Sequence, residues 1–276
     1  MTEHTSAGKA KVIRAFDTDT NYHDAGKGHP VILLHGSGPG VSAWTNWKRI
    51  LPVLGEYFHV LAPDMAGFGF TERKAGAAYD IKYWVKHLLG FMDALGIAKA
   101  SLVGNSFGGS LALAAAARFG DRFDRLVLMG TPCDRFMMTP GLRVGWDYTP
   151  SRENMRVAMS HFPFDPASIT DELVEDRYQT SLIPGAQEGL RQLLAKPNED
   201  GDTPLSGMPE AVVATIAQPT LVLHGREDRV IPVEMGIKLA RTIPDAELHI
   251  FGKCGHWVQS ERQADFVALT LRHLGG

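Results

Sequence analysis

The stretch Gly104-Asn105-Ser106-Phe107-Gly108 decides the fold. The short apolar run Ala100-Ser101-Leu102-Val103, typical of a buried strand, precedes it, and small helix-forming residues follow over 109–117. A strand, a tight turn and a helix in this order are the context in which G-x-S-x-G marks a nucleophile elbow. In such a turn the serine Oγ is presented by a strained backbone, and the flanking glycines let strand and helix approach closely.

The composition is that of an ordinary globular protein, with 44% hydrophobic and 21% charged residues. The 28 Lys and Arg nearly balance the 31 Asp and Glu, which leaves a net charge of -3. Because there is no basic block and no nucleic-acid motif, we expect no nucleic-acid partner.

The cysteines and the apolar runs bear on the redox compartment and on membrane association. Cys133 and Cys254 lie too far apart in sequence to form a disulfide framework. Residues 1–6 lack an apolar signal region, and the longest apolar runs fall short of the roughly 20 residues that a membrane span needs. We therefore expect a cytoplasmic protein without a membrane partner.

Buried strands alternate with helices along most of the chain. The predicted strands are 11–16, 20–24, 30–34, 58–64, 100–103, 126–129, 219–224 and 247–251, and the predicted helices are 41–54, 79–95, the run after Gly108, and 263–274. This alternation predicts an α/β fold, with a mostly parallel sheet covered by helices on both faces.

The alternation breaks down over 133–218, where helical stretches rich in Pro, Met, Phe and Arg contain no convincing strand. We interpret 1–132 and 219–276 as the α/β core and 133–218 as a helical lid. The lid would cover the carboxyl ends of the strands, where an α/β sheet binds its ligands. The alternative is a connecting subdomain that does not contact substrate.

A serine nucleophile needs a base and an acid that orients the base, in the chain order Ser, Asp or Glu, His. Asp228 follows the predicted strand 219–224, and His256 follows the last strand. Both lie on loops at the rim that carries Ser106, so the three form a candidate triad. Glu227, next to Asp228, is an alternative acid.

An oxyanion site needs two backbone N–H donors, one after the nucleophile and one from the loop after the third strand. Here these are the N–H groups of Phe107 and Ser37. The glycines of the loop His35-Gly36-Ser37-Gly38-Pro39-Gly40 let its backbone N–H groups point at a ligand.

Several stretches together resemble the meta-cleavage product hydrolases, which are serine-dependent carbon-carbon bond hydrolases of bacterial aromatic degradation in the α/β-hydrolase superfamily. The likeness covers nearly the whole chain and is clearest outside the insertion. The stretches that carry it are His35-Gly36-Ser37-Gly38-Pro39-Gly40, Trp44-Thr45-Asn46-Trp47, Pro63-Asp64-Met65-Ala66-Gly67-Phe68-Gly69, the 104–109 elbow, His224-Gly225-Arg226-Glu227-Asp228-Arg229-Val230-Ile231-Pro232 and Cys254-Gly255-His256-Trp257.

The resemblance implies an α/β-hydrolase fold and hydrolysis of 2-hydroxy-6-oxohexa-2,4-dienoates to 2-hydroxypenta-2,4-dienoate and a carboxylic acid. It implies no metal and no organic cofactor, and a homodimer or larger homo-oligomer. The nearest members act on 2-hydroxymuconate semialdehyde and its 6-alkyl analogues; those acting on the phenyl-substituted dienoate are an alternative.

The resemblance also assigns a dienoate-binding set. Arg177 matches the lid arginine that binds the substrate carboxylate and 2-oxo group, and Asn46, Asn105 and Trp257 match polar positions that hold the dienoate, with Gly38 beside them. Each of these residue types also has a common structural role. An arginine on a charged helix usually faces solvent, an asparagine can cap a helix, and a tryptophan can pack in a core.

Two further functions compete with this one. A serine carboxylesterase would use the same triad without needing Arg177, and a non-catalytic receptor would not need Ser106, Asp228 and His256 together. Dehalogenases and epoxide hydrolases are disfavoured, because their nucleophile is an aspartate. A set of apolar residues in the insertion is expected to line the pocket for the C6 substituent: Phe136, Met137, Met138, Trp146, Phe162 and Phe164.

Overall fold

An eight-stranded sheet forms the centre of the molecule. The computed structural model describes residues 10–74, 76–193 and 203–275. The strands are β1 Lys11–Ala15, β2 Thr18–Ala25, β3 Pro30–Leu34, β4 His59–Pro63, β5 Ala100–Asn105, β6 Phe123–Met129, β7 Arg135–Met137, β8 Pro204–Ser206, β9 Thr220–Gly225 and β10 Ala246–Phe251. The helices are α1 Ala43–Trp47, α2 Leu51–Leu54, α3 Ile81–Ala94, α4 Phe107–Arg118, α5 Pro140–Trp146, α6 Arg152–Met159, α7 Asp171–Ser181, α8 Ala186–Leu193, α9 Glu210–Val213, α10 Val233–Thr242, α11 Val258–Glu261 and α12 Gln263–Gly275.

The sheet has the strand order β1-β2-β4-β3-β5-β6-β9-β10. β1 and β2 are antiparallel to their neighbours, and all other pairs are parallel. Alternate residues of β3 feed two cores: Ile32 packs with α3, α4 and α10 on one face, and Val31 packs with α1, α2 and α12 on the other. This confirms the predicted α/β class, with helices on both faces of a mostly parallel sheet.

One predicted helix is wrong in extent. The expected helix over 41–54 is two short helices, α1 and α2, because Pro52 lies in the first turn of α2. Proline lacks an N–H and its ring clashes inside a helix, so it is tolerated only at a helix start. Ser42 caps α1 by accepting a hydrogen bond from Thr45 N.

The segment between β6 and β9 is mainly helical, as expected, but the prediction that it contains no strand was wrong. β7 and β8 pair in antiparallel register, with Phe136 opposite Leu205. Strands of three residues are too short to show the alternation that identifies a strand in sequence. Residues 194–202 of this segment, and residues 1–9 with the expected lack of a signal region, lie outside the described residues.

Within the described ranges, no helix is long and apolar enough to cross a membrane.

Candidate active site

Ser106 occupies the turn between β5 and α4 in a strained conformation, with φ 54° and ψ -112°. Its backbone N–H donates to Met129 O at 2.8 Å, which ties the turn to the end of β6. The flanking glycines permit close contact: a Cβ on Gly104 would lie 2.5 Å from Gly108 O, and one on Gly108 would lie 2.2 Å from Leu34 O. The geometry is that of a nucleophile elbow.

His256 Nδ1 lies 2.7 Å from Asp228 Oδ2, and both side chains are buried. The other carboxylate oxygen, Oδ1, accepts hydrogen bonds from Val230 N and Ile231 N at 2.8 and 2.9 Å. Burial opposes ionisation of Asp228, but the neighbouring His256 and His224 outweigh it and hold the pKa of that carboxyl below its ordinary value. An ionised Asp228 is therefore held at the Nδ1 side of the His256 ring, away from Nε2.

Glu227, the alternative acid, points elsewhere. Its carboxylate accepts hydrogen bonds from Arg226 Nε at 2.8 Å and from Cys254 N at 3.2 Å. These contacts connect the loop after β9 to the loop after β10. Of the two adjacent carboxylates, Asp228 is the one that contacts His256.

Gly130, the residue after β6, lies beside His256 and next to the residue that contacts Ser106. A Cβ on Gly130 would lie 2.7 Å from His256 Nδ1, and the neighbouring residue Met129 holds the Ser106 amide. Among the described residues, Ser106 Oγ makes no hydrogen bond with His256. Catalytic hydrogen bonds are often long in unliganded enzymes and shorten when substrate binds.

A cavity of about 650 Å³ opens beside Ser106, Phe107 and Ser37. Phe107 N is the first amide of α4, so it has no acceptor within its own helix. The remaining walls are largely apolar and include Trp84, Phe136, Leu142, Leu205, Met208 and Ile231. The candidate nucleophile Ser106 and the two predicted oxyanion donors thus line one largely apolar cavity.

The expected lining set was correct only in part. Of its six residues, Phe136 is the one that lines this cavity among those the structure describes. Met137 and Phe164 are 50% and 41% exposed. Phe162 instead packs at the His256 side, where its carbonyl oxygen accepts a hydrogen bond from His256 N at 2.7 Å.

Arg177 does not face solvent, although it lies on a helix rich in charge. It is 5% exposed, and its Nε donates to Pro39 O at 3.1 Å. No Asp or Glu among the described residues pairs with it, and burial lowers the pKa of its guanidinium to about 10. A buried cation without a counter-ion is costly, so this arrangement favours an anionic ligand.

The loop after β3 lies directly against Arg177. A Cβ on Gly40 would lie 1.8 Å from Arg177 O, and one on Gly38 would lie 3.4 Å from Arg177 Nη2. The guanidinium carbon also lies 5.6 Å from the Trp257 ring and 5.9 Å from the Phe162 ring. Those two rings are stacked, with centroids 5.2 Å apart. The predicted residues Gly38, Arg177 and Trp257 are therefore neighbours.

Asn46 and Asn105 both lie next to Gly36. Asn46 Oδ1 accepts from Gly36 N at 3.2 Å, and Asn105 Oδ1 would lie 3.0 Å from a Cβ on Gly36. The Nδ2 groups of both asparagines are buried without a hydrogen-bond partner among the described residues. Buried amide donors in native proteins are nearly always paired. Two such donors near an uncompensated guanidinium indicate a site for ligand oxygen atoms.

His224 is a site residue that the sequence did not identify. It is fully buried, and its Nε2 lies 3.0 Å from Ile231 O and 3.4 Å from Asp228 Oδ2. Its position four residues before Asp228, at the end of β9, is the only sequence signal for this contact. His224 and His256 thus flank the same carboxylate.

Comparisons of this chain with known proteins agree with this geometry. A family model described as the alpha/beta hydrolase fold matches residues 29–263. The 2-hydroxy-6-oxo-2,4-heptadienoate hydrolase of Pseudomonas putida F1 is 46% identical over 97% of this chain and 96% of its own. The 2-hydroxymuconate semialdehyde hydrolase of Pseudomonas sp. CF600 is 47% identical over 91% of this chain and 88% of its own.

Solved structures lead to the same group. The meta-cleavage product hydrolase of Pseudomonas fluorescens IP01 superposes with a TM-score of 0.90 at 46% identity, covering 96% of this chain and 97% of its own. The chain is therefore a serine-type hydrolase with the α/β-hydrolase fold. Within that fold, it belongs to the meta-cleavage product hydrolases, as the sequence resemblance predicted.

Proposed function

We propose that this chain hydrolyses the C5–C6 bond of 2-hydroxy-6-oxohexa-2,4-dienoates, with 2-hydroxymuconate semialdehyde or its 6-alkyl analogues as substrates. The products are 2-hydroxypenta-2,4-dienoate and a carboxylic acid. The observation that carries the proposal is Arg177, a buried guanidinium that no carboxylate neutralises among the described residues. A carboxylate ligand supplies the missing charge as a charge-assisted hydrogen-bonded fork.

The dienoate lies with its carboxylate at Arg177 and its C6 substituent in the apolar cavity near Phe136. Asn46, Asn105 and Trp257 hold the polar end, and Gly38 leaves space for it. The Nδ2 groups of Asn46 and Asn105 have no partner among the described residues, so they can donate hydrogen bonds to the carboxylate and the 2-oxygen. A plain ester has no need of such donors.

His256, oriented by Asp228, moves the protons. In ketonisation the 2-hydroxyl proton leaves oxygen and a proton is added at C5, which creates a 2-oxo group that can accept electrons. Addition of an oxygen nucleophile to the C6 carbonyl then places negative charge on its oxygen, opposite the N–H groups of Ser37 and Phe107. Removing one such donor typically costs about 3 kcal/mol of transition-state stabilisation.

Collapse of that adduct breaks the C5–C6 bond, and the electron pair passes into the 2-oxo system to give the dienol. Water supplies the hydroxyl group of the acid and the proton of the dienol. Ser106 either attacks C6 itself or positions the attacking water. Rapid-quench mass spectrometry separates these roles, since only direct attack leaves an acyl group on Ser106 during turnover.

The test of the proposed function is Arg177→Met. We expect kcat/KM for 2-hydroxymuconate semialdehyde to fall by the equivalent of about 2–5 kcal/mol, the usual cost of truncating a buried charge partner. Hydrolysis of p-nitrophenyl acetate should be nearly unchanged. Arg152→Met is the matched control, because Arg152 is exposed and pairs with Glu175 on the surface. Unchanged hydrolysis of both substrates would instead support the carboxylesterase, which does not need Arg177.

The C6 preference is a separate measurement. The aldehyde, 6-methyl and 6-phenyl dienoates are compared by the decay of their visible absorbance. Faster decay of the 6-phenyl compound would favour the phenyl-substituted alternative over the small-substituent assignment.

We also propose that residues 133–218 act as a lid over the core of 1–132 and 219–276, and that the enzyme is a cytoplasmic homodimer or larger homo-oligomer. Support for the lid comes from the contacts of Arg177 and Phe162 with the loops after β3 and β10. The oligomer rests on the family resemblance. Light scattering coupled to size-exclusion chromatography would return a monomer mass if the oligomer proposal is wrong.

A further inference from the structure

A second, much smaller void lies against Arg177. It measures about 30 Å³ and lies between the start of α1, α7 and α11. A water molecule needs roughly 10–15 Å³ of such space, so the void accommodates one small polar group. Its walls are Val41, Thr45, Asn46, Leu173, Arg177, Trp257, Gln259 and Ser260.

Gln259 is a buried polar wall residue that the proposed mechanism does not use. Its side chain is 2% exposed, and its Oε1 has no hydrogen-bond partner among the described residues. A buried acceptor without a donor costs free energy, so a donor from outside the protein is expected in the void.

The type of this unpaired atom is informative. The other polar groups available to a ligand near the loop after β3 are donors: the unpaired Nδ2 groups of Asn46 and Asn105, and the guanidinium of Arg177, which no carboxylate neutralises among the described residues. Donors suit the carboxylate and carbonyl oxygens of the dienoate. The dienoate also carries one O–H, on C2 beside the carboxylate, which needs an acceptor close to Arg177. Gln259, whose Oε1 is such an acceptor, lines the void that adjoins Arg177.

We propose that Gln259 is a specificity-determining residue that accepts a hydrogen bond from the 2-hydroxyl group of the dienoate. The inference rests on the proposed function and adds a discriminating contact to it. A dienoate that lacks the hydroxyl group leaves Oε1 buried and unpaired, so the site disfavours it.

The test compares Gln259→Leu with the parent enzyme on two ligands. The first is 2-hydroxy-6-oxohepta-2,4-dienoate, whose KM should rise about tenfold, as expected for one buried hydrogen bond. The second is 6-oxohepta-2,4-dienoate, which lacks the hydroxyl group and is measured as a competitive inhibitor. Its inhibition constant should stay the same or decrease. Gln179→Leu, at an exposed glutamine of α7 whose Nε2 donates to Glu175 on the surface, is the control and should alter neither value.

A parallel rise in both constants would overturn the proposal, because Gln259 would then act on Arg177 or on the shape of the void. Unchanged constants would overturn it as well. Gln259→Met is made alongside, and hydrolysis of p-nitrophenyl acetate reports the integrity of each variant. Failure of the proposed function looks different, since the parent enzyme itself would then hydrolyse no dienoate.

Discussion

At the scale of single residues, Gly130 controls the placement of the candidate base. It has φ 49°, and a Cβ added there would meet His256 Nδ1 at 2.7 Å and Asp228 Oδ2 at 3.2 Å. The side chains that it would displace are buried, so they have little room to move.

We predict that Gly130→Ala lowers kcat by about 100-fold, because a displacement of about 1 Å in a reacting group has that effect. Gly96→Ala is the matched control: its φ is 69°, yet its Cβ would meet nothing within 4 Å. Both variants should lose about 1–2 kcal/mol of stability from the left-handed backbone. Steady-state kinetics and thermal unfolding separate the two effects, and equal kcat values in the two variants would contradict the prediction.

The sequence predicted the positions of Ser106, Asp228 and His256 on one rim, because each follows the end of an apolar strand and parallel strands end at the same edge. It could not predict that Gly130 lies beside His256 or that His224 contacts Asp228. Those contacts depend on which strands are neighbours in the sheet, and β6 and β9 are far apart in the chain.

At the scale of elements, the Asp64 side chain connects three segments by hydrogen bonds. It is fully buried, and its carboxylate accepts hydrogen bonds from Ala43 N at 2.6 Å, Asn21 Nδ2 at 2.8 Å and Phe70 N at 2.8 Å. These donors belong to α1, β2 and the loop after β4. The loop that carries Ser37 leads directly into α1. Its position therefore depends on the Asp64 side chain, which binds the start of α1.

We predict that Asp64→Ala lowers the free energy of unfolding by about 3–5 kcal/mol, since three buried donors lose their acceptor. Asp93→Ala should cost less than about 1 kcal/mol, because Asp93 is 65% exposed and pairs with Arg122 at the surface. Urea unfolding followed by circular dichroism measures both. Similar midpoints for the two variants would argue against this role for Asp64.

The elements themselves were predicted well where they are long or fully apolar. Each of the eight main strands was expected within a few residues of its observed bounds. The signal was strongest for β3, β4, β5 and β9, because burial on both faces leaves a continuous apolar run. The division of 41–54 into two helices and the short β7–β8 pair were missed. Both features are shorter than the stretches of sequence over which helical and strand periodicity is recognised.

At the scale of the whole molecule, two buried histidines link stability to pH. His87 Nδ1 accepts from Ala66 N and its Nε2 lies 2.7 Å from Thr20 Oγ1, so the ring is held neutral. Burial lowers the pKa of His87 from 6.5 to about 4 and also lowers the pKa of His35.

The unfolded chain therefore binds protons at these histidines before the folded chain does, and stability is lost as pH falls from about 6.5 to 4. For His87 alone the loss is about 3 kcal/mol. His87→Asn, which can keep a donor and an acceptor but does not titrate, should flatten the curve of unfolding free energy against pH in this window. An unaltered slope would exclude His87 as a cause.

The neighbouring positions of β6 and β9 in the sheet also bear on how such enzymes diversify. These strands pair directly and in parallel, although the whole segment of 133–218 separates them in the chain. Because the cost of closing a connection grows only slowly with its length, this segment can be lengthened, shortened or exchanged while the strand pairing stays intact. New substrate side chains can then be accommodated by rebuilding one crossover, without redesigning the residues that break the bond.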